Sequence, residues 1–215
     1  LPPSFSKIEK TGAWDTIIVV KGGKYGMIDV HGNNVFPFEF DVIWEDRYET
    51  DNCVFQKNGL FGVMTILGDT ILPFEFSKIY SQGWTFVVTD RKGKKGIYDV
   101  NGFILLPVEY DEIEDIYLHG HLMMLRKDEK YGLFSNGQLV VPTIYDNMQK
   151  QHIEDKPTLF LVTKGKKKGW LKSDGTLLND TFYQEAELFI NGYSRVMLKG
   201  KWLEIGTDGE LKGKD

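Results

Sequence analysis

A glycine, a turn, a β-rich run and a proline followed by aromatics recur along this chain, the glycines falling 36, 34, 36 and 37 residues apart. The copies begin GMIDVHGNNVFPFEFDVI at Gly26, GVMTILGDTILPFEFSKI at Gly62 and GIYDVNGFILLPVEYDEI at Gly96. GLFSNGQLVVPTIYDNM follows from Gly132, and GWLKSDGTLLNDTFYQEA, without the proline, from Gly169. A fixed period in this range marks a tandem repeat, in which each unit buries its apolar surface against its neighbours. The opening LPPSFSKI copies LPFEFSKI of residues 72–79, the second half of a unit. The closing YSRVMLKGKWLEIGTDGEL supplies a first half, with Leu203 in the glycine position. The expected organisation is one array. It comprises a half repeat at 1–8, repeats at roughly 14–50, 51–83, 84–120, 121–157 and 158–192, and a half repeat at 193–215.

Within a unit the residues specify strands. Runs such as TIIVVK, NCVFQK and TLFLVTK are rich in residues that suit a pleated surface. Short Gly/Lys/Asn/Asp segments after them are hairpin turns. A second strand carries the repeat glycine, and a second turn holds Gly32, Gly68, Gly102, Gly137 and Gly175. A third strand runs to Pro37, Pro73, Pro107 and Pro142, which mark its end or an edge, since proline lacks a donor. The aromatics Phe40, Phe76, Tyr110, Tyr145 and Tyr183, with Ile43, Ile79, Ile113 and Met148 three residues on, are expected to plug one unit into the next. A glycine inside a strand implies a bulge or a close approach. The expectation is that a ring from the neighbouring unit lies over it.

The fold expected is therefore all-β, with about six three-stranded units. Two arrangements fit: an open twisted solenoid, or a closed six-bladed propeller in which Leu1–Ile8 and the terminal half repeat complete one blade. The period, shorter than the roughly 40–45 residues of a four-stranded blade, favours the open form.

Bulk properties narrow the function. A net charge of −5 argues against a dedicated nucleic-acid binder. One cysteine, Cys53, excludes an internal disulfide framework, and its place in a strand suits a small buried hydrophobe. No apolar run approaches the roughly 18 residues of a membrane helix. The chain opens on Leu1 rather than Met, from which a removed leader or flanking sequence is expected. No phosphate loop, nucleophile elbow, zinc-protease helix or dinucleotide fingerprint is present. Carboxylate pairs repeat with the period, as structural features do. No catalytic residue and no cofactor is expected.

The scheme resembles the bacterial WG-repeat (KWG) family, whose units read [KR]-W-G-x-I-D, then glycine, a β run, proline and an aromatic followed by aspartate. KYGMID with GNNVFPFEFD, and KKGIYD with GFILLPVEYD, carry the likeness. The tryptophan slot holds Tyr25, Phe61, Lys95, Tyr131 and Lys168, and Trp202 alone keeps the tryptophan. The resemblance implies an all-β module, often secreted or attached to the cell envelope, with no catalytic residues to carry over.

Three features are candidates for function. Lys21, Lys57, Arg91, Lys127 and Lys164, with Lys24, Lys94, Lys130 and Lys167, form a basic ladder. An acidic ladder of Glu39, Glu75, Glu109, Asp41, Asp111 and Asp146 matches it, so mutual neutralisation is the expected outcome. His119 and His121 alternate as two metal ligands could, but no third ligand follows from spacing. The inter-repeat segments, where repeat proteins vary and bind, carry Trp44, Tyr48, Tyr80, Trp84 and Tyr117. These five rings are the candidate binding residues. They suit another protein or a surface glycan as partner, or else fill gaps between units.

Overall fold

The computed structural model describes residues 5–10, 15–45, 51–82, 84–116, 122–154 and 156–212. The fold is all-β, and every sheet is a small antiparallel meander drawn from one continuous stretch. The first sheet is β1 (Lys7–Lys10), β2 (Thr16–Lys21), β3 (Lys24–Asp29) and β4 (Asn34–Phe40). The second is β5 (Val42–Glu45), β6 (Asn52–Lys57), β7 (Leu60–Thr65) and β8 (Thr70–Phe76). The third is β9 (Lys78–Gln82), β10 (Thr85–Thr89), β11 (Lys95–Asp99) and β12 (Ile104–Tyr110). The fourth is β13 (Glu112–Asp115), β14 (Leu122–Lys127), β15 (Lys130–Ser135) and β16 (Gln138–Tyr145). The fifth is β17 (Asn147–Gln151), β18 (Leu159–Lys164) and β19 (Lys167–Lys172). The sixth is β20 (Glu185–Ala186), β21 (Tyr193–Leu198), β22 (Lys201–Gly206) and β23 (Leu211–Lys212). The chain divides into two compact units, Leu1–Glu109 and Tyr110–Asp215.

Six units are present, but five of the sheets have four strands rather than the expected three. The added strand is the short run holding Ile43, Ile79, Ile113 or Met148. It starts a new sheet directly after a one-residue corner at Asp41, Ser77, Asp111 or Asp146. This phase also accounts for the half repeats. Ile8 lies on β1, which pairs with β2 through Ile8↔Val19, and β23 pairs with β22. Among the described residues the two ends therefore complete separate sheets rather than one shared blade.

Sheets within each unit join face to face. Ile18, Met27, Phe36 and Phe40 of the first sheet bury against Ile43, Cys53 and Phe55 of the second. Val54, Val63, Leu72 and Phe76 then meet Ile79, Phe86 and Val88 of the third. In the other unit Leu122, Leu133, Val141 and Tyr145 meet Met148, Phe160, Val162 and Leu171. Leu159, Trp170 and Tyr183 meet Ala186, Phe189, Val196 and Ile205. Both faces of an inner sheet are covered, which is why runs such as NCVFQK read as nearly continuous apolar segments. The expected plug is visible in Phe40, 3% exposed, whose ring centroid lies 4.8 Å from that of Phe55.

The strand glycine has a different cause from the one expected. Tyr25 pairs with Phe40 and Met27 with Phe36, so β4 carries two extra residues opposite Gly26. Pro37 lies in that bulge, where no ladder donor is needed, and the strand continues beyond it to Phe40. Proline thus marks a bulge in an edge strand rather than a strand end. The bulge folds Phe38 over Gly26, where a β-carbon would meet the ring at 2.7 Å. The covering side chain comes from the same sheet and not from a neighbour. Phe74 over Gly62 and Phe182 over Gly169 repeat the arrangement, while Val108 takes the place at Gly96.

Contact with a neighbour's backbone occurs instead at the second turn. Gly102 has φ +86°, and a β-carbon there would stand 2.6 Å from the carbonyl oxygen of Ile71 in the preceding sheet. The proline-free fifth copy loses its fourth strand. Only the bridges Lys168↔Tyr183 and Leu171↔Leu177 remain, yet Tyr183 stays fully buried.

Gly102→Ala should cost more than Gly93→Ala. Both glycines have a positive φ, but nothing approaches Gly93 within 4 Å. Denaturant unfolding should show about 1–2 kcal/mol for the shared backbone strain, with about 1–3 kcal/mol more at Gly102 for overpacking. Equal losses would remove the inter-sheet contact from the explanation. Phe40→Ala should cost about 3–5 kcal/mol in the same assay.

Candidate functional site

In a four-stranded meander the first and third connections share one end of the sheet, and the second lies at the other. Every sheet therefore has two rims of different origin. One holds the hairpin tip between its second and third strands, beside the corner that leads into the next sheet.

The corner residue organises the tip rim. Asp41 accepts from Lys24 Nζ of the first sheet through one carboxylate oxygen, and from Gly59 N in the next tip at 3.1 Å through the other. Asp146 does the same between Lys130 and Gly165 N, the latter at 2.6 Å. Asp111 caps Asp128 N at 2.9 Å. Lys57 pairs with Glu39 at 2.9 Å, and Lys150 with Glu114 at 3.8 Å, each across two sheets. Three ion pairs thus join the two ladders, at Lys24–Asp41, Lys57–Glu39 and Lys130–Asp146. Lys24 and its neighbour Gly59 hold the Asp41 carboxyl below its ordinary value, and Lys130 with Gly165 does so for Asp146.

The opposite rim is built on second-turn caps. Asp29 accepts from Asn33 Nδ2 and N and from His31 N; Asp99 accepts from Asn101 N and Phe103 N. The aspartate of the KYGMID and KKGIYD motifs is therefore a turn-closing residue, and Asn33 donation keeps Asp29 below its usual range. Among these polar caps stand apolar side chains with little cover. Leu67 is 84% exposed, Phe103 69%, Trp84 66% and Ile104 62%. Trp84 precedes Thr85, which pairs with Asp99, the residue that caps Phe103 N. Asn52 Nδ2 donates to Val100 O at 2.9 Å, joining the second sheet to this turn of the third.

The five candidate rings separate on this frame. Trp84 stands out from the rim, and Tyr80, 42% exposed, lies on the edge strand β9. Trp44 is half-buried, 5.4 Å from Phe61 and packed on the cluster around Val63 and Leu72, so it fills a gap between strands. Tyr48 and Tyr117 lie outside the described residues, as do His119 and His121. Among the described residues no three His, Cys, Asp or Glu side chains gather as a metal site. Cys53 is buried at 1% exposure in the first inter-sheet core. Leu67, Phe103 and Ile104 were not singled out from the sequence. Their signal was an apolar residue directly beside a turn glycine or just after it (LG, GFI), where polar residues are the rule.

Depressions mark the surface of the described residues. One of about 370 Å³ is lined by Glu75, Phe76, Asp90, Arg91, Lys92 and Val108 at the third tip. Another, of about 90 Å³, lies on the outer face of the sixth sheet among Arg195, Trp202, Leu203, Glu204 and Lys212. Arg195 covers the Trp202 ring at 4.7 Å, and Lys212 lies 4.3 Å from the centre of the Tyr193 ring. Lys212 also donates to Tyr193 Oη at 2.5 Å, which raises the pKa of its ammonium.

Residues 25–61 and 183–202 match the family model of the WG containing repeat. No curated protein matches the chain. Among solved structures, it is similar to BamB from Moraxella catarrhalis at 12% identity and a TM-score of 0.37, over 96% of this chain and 72% of that one. It is also similar to the CNH domain of AfRom2 at 9% identity and a TM-score of 0.35, over 98% and 84%. For the WD40 β-propeller domain of Doa1 the values are 11% and 0.32, over 98% and 85%.

The aspartate pairs predict acid sensitivity. A carboxyl whose folded pKa lies below its ordinary 3.8 favours the folded state above that value and loses the advantage as pH falls toward the folded one. Stability should therefore drop below about pH 4. Asp41→Asn/Asp146→Asn should flatten that part of the profile in urea titrations. An unchanged slope would assign the acid sensitivity to other groups.

Proposed function

We propose that this chain of WG-containing repeats is a non-catalytic scaffold that binds another protein through the apolar rim of residues 1–109. The single observation that supports the reading is the set of Leu67, Trp84 and Phe103, on connections of two successive sheets, with Ile104 at the start of β12, all more than 60% exposed. Apolar side chains at neighbouring turns are what a protein interface supplies at its centre, with polar caps such as Asp29 and Asp99 as its rim. Trp84 is the expected anchor, because truncating a central tryptophan commonly costs 2 kcal/mol or more of binding. Tyr80 extends the surface along β9. Tyr48, in the inter-repeat segment of residues 44–52, is proposed as a contributor, and Tyr117, in the segment of residues 114–121, as a separate binding residue of the other unit. A surface glycan stacked on Trp84 and Tyr80 is the alternative occupant.

Trp84→Ala and Phe103→Ser should leave unfolding within about 0.5 kcal/mol of the parent, as exposed substitutions do. Each should weaken a partner recovered with the parent chain at least tenfold, measured by titration of that purified partner. Trp44→Ala, by contrast, should lower stability. Undiminished affinity in both rim variants would reject this surface. Loss of glycan-array binding in Trp84→Ala, with no protein affinity to lose, would favour the glycan.

A further inference from the structure

Cations without a carboxylate partner gather most densely at one place on the tip rim, beyond the few such as Arg91 and Lys92 of the third tip, which lie beside Glu75 and Asp90. Lys164, Lys166 and Lys167 form the fifth hairpin tip, and Lys199 and Lys201 the sixth; all five are exposed. No carboxylate among the described residues pairs with any of them. The nearest acids are already engaged, Asp146 by Lys130 and Glu185 by Lys168. The two tips are held together by the corner between their sheets. Lys168 Nζ, beside the fifth tip, donates to Glu185 at 2.7 Å, and Gly200 N in the sixth tip donates to Gln184 Oε1 at 2.6 Å.

Gln184 is the decisive residue. It occupies the corner position held by Asp41, Asp111 and Asp146 and performs the same backbone cap, through an amide oxygen instead of a carboxylate. The cap is kept and the charge is dropped. The acidic chain, net −5, thus presents five uncompensated ammonium groups on two adjoining tips.

We infer that these tips form a docking site for a flexible phosphate-bearing chain without bases, of the linear polyphosphate type. Lysine ammonium groups on mobile stems suit phosphates that follow one another along a chain and need no fixed fork geometry. Tip residues 164–167 and 199–201 include no ring on which a base could stack, so the patch reads charge alone. The site is separate from the apolar rim and does not depend on the protein-binding proposal.

The test titrates the full chain with linear inorganic polyphosphate, and in parallel with a single-stranded oligonucleotide, across a salt series. Binding should weaken with salt with a log–log slope of about −3 to −4, as five neutralised phosphates would give. Lys166→Glu/Lys167→Glu/Lys199→Glu should weaken it at least tenfold. Gln184→Glu, which restores the missing charge while keeping an acceptor for Gly200 N, should weaken it about threefold with unfolding unchanged. Lys24→Gln, at a neutralised tip, should have no effect. Salt-insensitive or absent binding, indifference to the triple reversal, or tighter binding of the oligonucleotide than of polyphosphate would each overturn the inference.

Discussion

The whole architecture depends on burial between sheets. A meander of strands two to eight residues long cannot bury both its faces by itself. Within each of the two units a sheet sends an aromatic from the end of its last strand, or from the segment that replaces it, into a core completed by the next sheet. Phe40 with Ile43 and Phe55, Phe76 with Ile79 and Phe86, and Tyr145 with Met148 and Phe160 are equivalent joints. Burial of such side chains contributes about 1.5–3 kcal/mol each, more than the exposed ion pairs beside them can supply. The joint tolerates loss of regular structure nearby. In the fifth copy the fourth strand has gone, yet Tyr183 still fills its core, with Asn179 donating to its hydroxyl oxygen.

The corner between sheets adds direction to that packing. One aspartate closes the next hairpin tip by accepting a backbone N–H and neutralises a lysine of the tip before it. Capping needs only an acceptor, whereas neutralisation needs a charge. Gln184 separates the two roles, and Ser77 performs neither. Ser77 Oγ donates to Thr89 O and Asp90 O, and Gln184 accepts from Gly200 N. Fold and surface charge can therefore vary independently at one position, because the hydrogen bond that shapes the turn does not require ionisation.

Much of this was legible in the sequence, and the reasons differ by element. The strands, both turns and the aromatic–aliphatic plug follow from periodicity and composition, because burial imposes a pattern on the residues that share it. The phase of the sheet was not legible. The aliphatic strand after Asp41 or Asp111 is only four residues long and abuts the previous strand across one residue, so no turn signal separates them. The bulge at Pro37–Phe38 was half legible. Proline announced a missing donor, but only the register Tyr25↔Phe40 and Met27↔Phe36 shows where the two extra residues go. Trp44 and Trp84 illustrate the limit for sites. Both are tryptophans between repeats, and only coordinates separate one packed on Phe61 from one 66% exposed.

Where recognition can reside follows from the same packing. An inner sheet spends both faces on its neighbours, so its variable chemistry is confined to the two rims and to strand edges. The sixth sheet shows what a face becomes when it is not used in this way. The half-buried Leu161 and buried Trp170 of the fifth sheet correspond there to Arg195 and Glu204, which lie opposite each other in the β21–β22 register, and Arg195 forms an ion pair with Glu187 at 3.7 Å. Trp202 and Tyr193 on this face support cations rather than a neighbour's apolar side chains. Ion pairing and cation–π contact replace apolar burial, and the surface remains compatible with water. Apolar exposure at Leu67, Trp84, Phe103 and Ile104 does not follow that rule. Those side chains lie at or beside turns, where neither the sheet nor its neighbours cover them, which is why the proposed protein-binding surface is placed there.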